Sequence, residues 1–183
     1  MERFTVEILT VGNELLIGKI CNTYAQWLAQ RITRLGGMVR RIITVPDSLP
    51  DIVQALRDCL SRKPDFVLTV GGLGPTFDDM TLQGVSEALG RPLKLHREAL
   101  RMVEEKVEEM KAQGILKKPW LTPEREKMAT LPEGAEPLYN PEGTAPGVKL
   151  QAGETLIICL PGVPVEMKAI FDLHLEKLMA ERS

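Results

Sequence analysis

Three short apolar runs, each followed by a helical pattern, constrain the fold of this chain most strongly. The runs at residues 5–11, 39–45 and 66–70 are rich in valine, isoleucine and other strand-forming residues. Helical spacing of apolar residues follows each run, over about 23–35, 49–60 and 81–89. Because strands that alternate with helices pair side by side, the pattern predicts an α/β fold with a mainly parallel sheet.

The second half of the chain follows a different pattern. An amphipathic helix with an exposed acidic face is predicted over 97–113, and a short helical piece over 124–128. The stretches 114–123 and 131–146 are rich in proline and glycine, which is typical of connectors. Two strands joined by a turn are expected at 148–150 and 155–160, before a final helix. With no repeat and no evident linker, residues 1–183 are predicted to form one domain.

A glycine-rich loop directly follows the strand at 66–70. Its sequence, from residue 71, is GGLGPTFDDMT. In open α/β sheets ligands bind at the carboxyl ends of the strands, and glycines let a phosphate approach the backbone closely. The pattern is neither a Walker loop nor a dinucleotide fingerprint. We therefore predict a phosphate-binding loop of a different class.

Two adjacent carboxylates, Asp78 and Asp79, stand in this loop. They would repel a bare phosphate unless a divalent cation lies between, or unless one of them binds a ribose hydroxyl. The alternative is structural: both aspartates would cap the helix that begins near Thr81.

Three further loops are expected at the same sheet edge. The first, after residue 11, holds Glu14, which either faces a ligand or pairs with Lys19 at the surface. The others, 140–147 and 160–164, are candidate ligand loops; the alternatives are a proline-rich turn and an ordinary strand-to-helix connection.

Composition excludes several function classes. Lys and Arg total 23 against 25 Asp and Glu, so no basic excess indicates nucleic-acid binding. Cys21, Cys59 and Cys159 form no CxxC pair and are predicted to be free thiols, and neither His96 nor His174 is assigned a catalytic role. The apolar runs are too short for a membrane span, and the start at Met1 lacks a signal-peptide pattern. A cytoplasmic protein without a membrane partner is therefore expected.

Together the loops resemble the N-terminal domain of the CinA family, competence/damage-inducible protein A, within the molybdopterin-binding (MoaB/MogA-like) fold. The matching segments, in order along nearly the whole chain, are GNELL at 12–16 with Gly18 and Asn22-Thr23, VPD at 45–47, GGLGPT at 71–76 with DD at 78–79 and Thr81, NP at 140–141 with Gly143, Ala145 and Gly147, and LPGVP at 160–164 with EM at 166–167. Tyr24 departs from the asparagine expected there, so the family's ligand contact is not carried over to that position. The nicotinamide-mononucleotide deamidase domain of many CinA proteins is absent from these 183 residues, so deamidase activity is not expected.

The resemblance implies a three-layer α/β/α sandwich and two different activities. CinA-type domains are associated with metal-dependent cleavage of ADP-ribose to AMP and a sugar phosphate, whereas the wider fold binds and adenylylates molybdopterin. The adjacent aspartates favour an ADP-ribose pyrophosphatase-like hydrolase as the main hypothesis. A molybdopterin-binding carrier or adenylyltransferase, and a non-catalytic regulatory module, remain alternatives. Relatives form dimers or trimers, which implies a homo-oligomer.

The resemblance also implies roles for individual residues. Asp78, Asp79 and Glu14 would be catalytic and would hold a divalent cation, Mg²⁺, Co²⁺ or Ni²⁺, with K⁺ as a further candidate. The shared aspartate of the wider fold matches Asp79, and the general base is open between Asp78 and Glu14. The residues expected to bind a nucleotide diphosphate or a molybdopterin-like molecule are Gly71, Gly72, Gly74, Pro75, Thr76, Asn22, Asn140, Gly143, Pro161 and Gly162.

Overall fold

A computed structural model gives the fold of residues 3–118 and 120–182. Residues Met1, Glu2, Pro119 and Ser183 lie outside the described part of the chain. The prediction that the start at Met1 lacks a signal-peptide pattern therefore falls on residues that the structure does not describe. The strands are β1 (Thr5–Val11), β2 (Met38–Val45), β3 (Phe66–Val70), β4 (Leu93–Leu95), β5 (Thr130–Pro132), β6 (Glu136–Leu138), β7 (Gly147–Ala152) and β8 (Thr155–Leu160). The helices are α1 (Asn13–Leu16), α2 (Thr23–Arg34), α3 (Leu49–Ser61), α4 (Thr81–Leu89), α5 (Arg97–Ala112), α6 (Thr122–Met128), α7 (Pro164–Ile170) and α8 (Glu176–Ala180), with a π-helical segment, Phe171–Leu175, joining the last two.

Six strands form the central sheet in the order β2-β1-β3-β8-β7-β6. The first four are mutually parallel, whereas β7 runs antiparallel to β8 and β6 antiparallel to β7. The buried runs of β3 and β8 occupy its centre, as expected for parallel strands covered on both faces. The prediction of a mostly parallel sheet is confirmed, and so is the hairpin that turns at Gly153.

Helices cover both faces of this sheet, which makes the three layers of the predicted sandwich. Successive residues of β1 point to opposite faces, so Ile8 and Leu9 enter different hydrophobic cores. Side chains of α3, α4 and α5 share the core with Leu9. Those of α2, α7 and α8 share the core with Ile8.

Several local predictions need correction. The stretch after β1 was expected to be a loop, but it contains the one-turn helix α1. Asn22, expected to bind a ligand, is the N-cap of α2, and its side chain accepts a 3.2 Å hydrogen bond from the Ala25 amide. The connector predicted over 131–146 includes strand β6 and most of β5. Three-residue strands are too short for alternation to reveal them.

A small second sheet and two helices lie between α4 and β6 along the chain. Strands β4 and β5 pair antiparallel, and α5 and α6 connect them. The buried residues of α5, Ala99, Val103 and Val107, pack into the same core as α3 and α4. This insertion therefore lies against the sheet face on which α3 and α4 pack. No helix within the described ranges has the length and apolar character needed to cross a membrane.

Candidate ligand-binding site

A cavity of about 510 Å³ opens where the loops after β1, β3 and β8 meet. Its size lies in the range of ordinary small-molecule sites, and its place at the carboxyl ends of parallel strands is where α/β sheets bind ligands. The lining residues are Val11, Glu14, Tyr24, Asp47, Val70, Gly71, Gly72, Leu73, Gly74, Pro75, Asp78, Asp79, Met110, Trp120, Met128, Gly143, Thr144, Ala145, Pro161, Gly162, Val163 and Glu166.

The floor of the cavity is the glycine loop, which turns sharply as it leaves β3. Gly71 and Gly72 have φ values of 103° and 70°, a region that disfavours any residue with a Cβ. Thr81, the first residue of α4, fixes the turn: its hydroxyl donates to the Gly71 carbonyl at 2.7 Å and its amide to the Gly72 carbonyl at 3.2 Å. A Cβ on Gly72 would overlap the Thr81 side chain. The glycines therefore hold the loop in a shape that leaves its backbone open to the cavity.

The two aspartates are organised by Thr76 and not by the helix that follows. Asp79 Oδ2 accepts hydrogen bonds from the Thr76 amide at 3.0 Å and from its hydroxyl at 2.6 Å, and the same hydroxyl contacts Asp78 Oδ1. This hydrogen bonding from Thr76 lowers the pKa of Asp78 below its ordinary value. The N-cap of α4 is Met80, without a side-chain cap bond, so the alternative that these aspartates cap the helix is wrong.

Lys127 of α6 stabilises the glycine loop and was not among the residues predicted from the sequence. Its Nζ donates to the carbonyl oxygen of Asp79 at 2.6 Å and to that of Gly74 at 3.1 Å. Burial lowers the pKa of this lysine, while the charges of Asp79 and Asp78 oppose the shift. A lysine distant in sequence on a short helix carries no local signal for this role.

The loop after β6 is shaped by Asn140, which is almost fully buried. Its Oδ1 accepts from the amides of Glu142 and Gly143, and its Nδ2 donates to the Ala145 carbonyl and to Glu166 Oε2, both at 2.8 Å. These bonds use the amide at both ends. Asn140 therefore stabilises the loop that forms this wall of the cavity, although its own side chain does not line the cavity.

Tyr24 and Glu14 line the β1 side of the cavity. The Tyr24 hydroxyl donates to the Gly162 carbonyl at 2.7 Å, and burial, together with the charge of Glu14, raises the pKa of this phenol. Within the described ranges no ion pair joins Glu14 to Lys19, and Glu14 faces the cavity. Asn22, predicted to bind ligand, instead donates to Thr10 Oγ1 at 2.9 Å and caps α2.

The ionisable lining of the cavity is wholly acidic across the described residues. Five carboxylates and no lysine, arginine or histidine lie among the lining residues; the acids are Glu14, Asp47, Asp78, Asp79 and Glu166. They do not converge, since in the described part of the chain no group of three or more His, Cys, Asp or Glu side chains could hold a metal ion. The side chains therefore do not fit a metal cage built by protein alone.

Most of the predicted site residues meet at this cavity. Those that line it are Glu14, Gly71, Gly72, Gly74, Pro75, Asp78, Asp79, Gly143, Pro161 and Gly162. Thr76, Asn22 and Asn140 are not among the lining residues, and each is bonded to neighbouring protein groups. The lining residues absent from the predicted set include Tyr24, Asp47, Met110, Trp120, Met128, Thr144 and Glu166.

Comparison with known sequences assigns nearly the whole chain to one family profile. The profile, described as a probable molybdopterin binding domain, matches residues 7–181. A protein of Pyrobaculum arsenaticum is 51% identical over 175 residues, which cover 96% of this chain and 63% of that protein. A protein of Pyrococcus horikoshii is 46% identical over 176 residues, with 96% and 69% coverage. The chain thus spans about 63% of the length of the first of these relatives.

Comparison with solved structures finds the same fold, in one case at 40% sequence identity. The protein CinA from Thermoplasma acidophilum is 40% identical, with a TM-score of 0.85 and coverage of 96% of this chain and 98% of that one. The tungsten cofactor synthesizing protein MoaB from Pyrococcus furiosus is 16% identical, with a TM-score of 0.62 and coverage of 97% and 94%. The second likeness concerns the fold alone.

These findings overturn the main functional hypothesis drawn from the sequence. The matching family profile is described as a probable molybdopterin binding domain, and the similar solved structures are CinA and, for the fold alone, proteins named for molybdopterin biosynthesis or tungsten-cofactor synthesis. The prediction of an ADP-ribose pyrophosphatase-like hydrolase is therefore wrong. That prediction relied on the adjacent aspartates. A carboxylate pair beside a glycine loop is, however, compatible with binding a phosphate group as well as with cleaving a diphosphate.

Proposed function

The chain belongs to the family of probable molybdopterin binding domains, in its CinA-type branch, and on this premise we propose that it binds a molybdopterin-like pterin phosphate in molybdenum-cofactor metabolism. The observation that carries this proposal is the composition of the cavity. An open glycine backbone and an apolar wall of Met110, Trp120 and Met128 line the same space. A ligand with a planar ring and a phosphate matches both features.

The proposal assigns the phosphate to the glycine loop. Gly71, Gly72 and Gly74 bring main chain to the cavity surface without side chains in between. Backbone N–H groups at such turns favour anions. The neighbouring carboxylates of Asp78 and Asp79 oppose an anion by charge, so binding depends on what neutralises them.

A divalent cation shared with the ligand would supply that neutralisation. Mg²⁺ is commonly bound through one or two carboxylates together with phosphate oxygens and water, which does not require a three-carboxylate cage. Asp79 and Asp78 are the residues that would hold it, with Mg²⁺, Co²⁺ or Ni²⁺ as candidates and K⁺ as an additional cation. When bound, the cation would offset the negative charge between carboxylate and phosphate. Glu14 stays a prediction as a third ligand.

The test is direct binding, followed by a transfer assay. We expect isothermal titration calorimetry to show binding of molybdopterin, or of a pterin with a phosphorylated C6 side chain, in the presence of Mg²⁺. Gly72→Val should abolish the signal in a folded protein, because its side chain would overlap Thr81 and require a disfavoured φ. Failure of the wild type to bind either pterin would overturn the proposal and favour the non-catalytic module.

Carrier and adenylyltransferase remain two versions of this function. They are separated by incubating the loaded protein with Mg²⁺ and ATP. Release of pyrophosphate together with an adenylylated pterin would identify the transferase, whereas binding without transfer would identify the carrier. The homo-oligomer also stays a prediction, to be measured by light scattering coupled to size-exclusion chromatography.

A further inference from the structure

We propose that Glu166 determines ring specificity in this cavity by accepting hydrogen bonds from the amino-substituted edge of a 2-amino-4-oxo ring such as a pterin. The inference rests on the proposed function and goes beyond it, because it concerns which ring the cavity selects. Glu166 lies in the first turn of α7 and lines the cavity on its β8 side.

One oxygen of this carboxylate is fixed by the protein and the other is open. Oε2 accepts from the Asn140 amide at 2.8 Å, and Asn140 is itself held by three bonds to its own loop. No described residue donates to Oε1, yet Oε1 is not one of the buried, unbonded oxygens of the described chain. Oε1 is therefore an oriented acceptor that opens onto the cavity.

Gly143 makes room for the carboxylate. A Cβ at this position would overlap the Glu166 carboxylate group, although no unusual backbone angle requires glycine there. The next residue, Thr144, contacts the sulfur of Met110 through its hydroxyl at 3.4 Å. The acceptor therefore lies next to an apolar surface, which suits a flat heterocycle that presents N–H groups at its edge.

The electrostatic surroundings make this acceptor discriminating. Burial is the largest cause of the raised pKa of Glu166, and the charge of Glu142 raises the pKa further. The hydrogen bond from Asn140 and the charge of Lys106 lower the pKa but do not cancel the shift. Lys106 does not reach the carboxylate, since its Nζ donates to the Pro141 carbonyl at 2.6 Å and to Glu109. A poorly solvated carboxylate gains from N–H donors and is penalised when a carbonyl oxygen faces it.

The ring edge of a pterin meets this requirement. Its 2-amino group and the adjacent ring N–H point in nearly the same direction, and a carboxylate can accept from two such donors. A lumazine carries an oxo group in place of the 2-amino group and would place that oxygen against Glu166. The geometry thus predicts that the cavity prefers the amino-substituted ring.

The experiment compares two ligands and three proteins. A C6-phosphorylated pterin and the matching lumazine phosphate are titrated, with Mg²⁺ and near pH 8, into wild type, Glu166→Gln and Glu142→Gln. Glu142 is an exposed carboxylate that does not line the cavity, so its variant makes the same charge change outside the site. We expect the wild type to bind pterin about 10- to 100-fold more tightly than lumazine, the range for hydrogen bonds to a charged acceptor.

The outcomes distinguish failure of the role proposed for Glu166 from failure of the proposed pterin binding. Glu166→Gln should lose most of the preference for pterin by weakening pterin binding alone, while Glu142→Gln keeps it. If Glu166→Gln binds pterin and lumazine in the wild-type ratio, or the wild type shows no preference, the role of Glu166 is overturned and pterin binding stands. If the wild type binds neither ligand, the proposed function itself fails. The lumazine arm uses unmodified protein, so the test does not depend on the variant folding.

Discussion

The hydroxyl of Tyr24 donates a 2.7 Å hydrogen bond to the carbonyl oxygen of Gly162. It connects the first turn of α2 to the turn that follows β8, across 138 residues of sequence. The ring packs against the core shared with Ile8, and the hydroxyl reaches the cavity rim. Tyr24 thus positions one wall of the cavity at the site where an asparagine was expected from the family pattern.

Removing this hydroxyl should loosen the wall while keeping the ring in place. We expect Tyr24→Phe to lower the free energy of unfolding by about 1 kcal/mol, the usual net value of one hydrogen bond. Pterin phosphate should bind several-fold more weakly by calorimetry. Tyr139→Phe is the matched control, because that side chain is exposed and does not line the cavity. Equal effects of both changes would contradict the positioning role.

The glycine loop should tolerate a side chain less well than another turn with the same backbone angle. Gly72 and Gly153 have φ values of 70° and 60°, but only a Cβ on Gly72 would meet neighbouring atoms. We expect Gly153→Ala to cost about 1–2 kcal/mol through backbone strain alone, and Gly72→Ala to cost more and to abolish ligand binding. Denaturant unfolding and calorimetry measure the two effects. Intact binding by folded Gly72→Ala would exclude a ligand role for the loop.

Divalent cations should act through Asp79. We expect EDTA to weaken binding of pterin phosphate to the wild type by at least ~10-fold, a change typical of losing one group around a metal. Asp79→Asn should bind weakly with or without Mg²⁺, and its fold should persist because the amide oxygen can still accept from Thr76. Asp58→Asn, on the exposed surface of α3, should retain the response to Mg²⁺. Binding that EDTA leaves unchanged would show that no cation is involved.

The half-buried carboxylate of Glu166 should make stability depend on pH in a direction opposite to that of an ordinary ion pair. Its pKa is raised above the usual 4.5 in the folded protein, so the fold favours the protonated form. This contribution is fully present below 4.5 and is lost as pH rises through the raised pKa. The free energy of unfolding of Glu166→Gln minus that of the wild type should therefore grow between about pH 4 and pH 8.

Urea unfolding at a series of pH values measures this difference. Glu154→Gln serves as the control, because Glu154 is exposed in the turn between β7 and β8 and is not one of the charges that shift the pKa of Glu166. If the free energy of unfolding of Glu166→Gln minus that of the wild type stays constant or shrinks as pH rises, burial does not raise the pKa of Glu166 in the folded protein.

The thiols should differ sharply in reactivity. Cys21 is exposed, whereas Cys59 and Cys159 are buried. Burial raises the pKa of Cys59 to about 12 and that of Cys159 to about 11, so neither forms the reactive thiolate near neutral pH. A thiol reagent such as DTNB should label one cysteine rapidly in the native protein and all three after denaturation. Fast labelling of three thiols in the native state would contradict the buried placement.

The sequence alone was sufficient for the parallel sheet and for the edge at which the loops gather. Runs such as 66–70 carry their strand signal locally, and parallel strands bring their carboxyl ends to one side. Gly71 and Gly72 were identifiable for the same reason, since a turn that needs positive φ selects glycine through local sterics.

The tertiary structure decided which polar residues face the cavity. Asn22 and Asn140 follow the same pattern as a ligand-binding asparagine, but partners distant in sequence, Thr10 for one and Glu166 for the other, use their amides. Lys127 and Trp120 reach the site through the insertion between β4 and β5, whose packing against the sheet depends on many small contacts spread along the chain. Local spacing sets helices, strands and turns through short-range sterics. Whether a carboxylate such as Glu166 meets solvent, a protein donor or a cavity depends on long-range packing, which no local pattern contains.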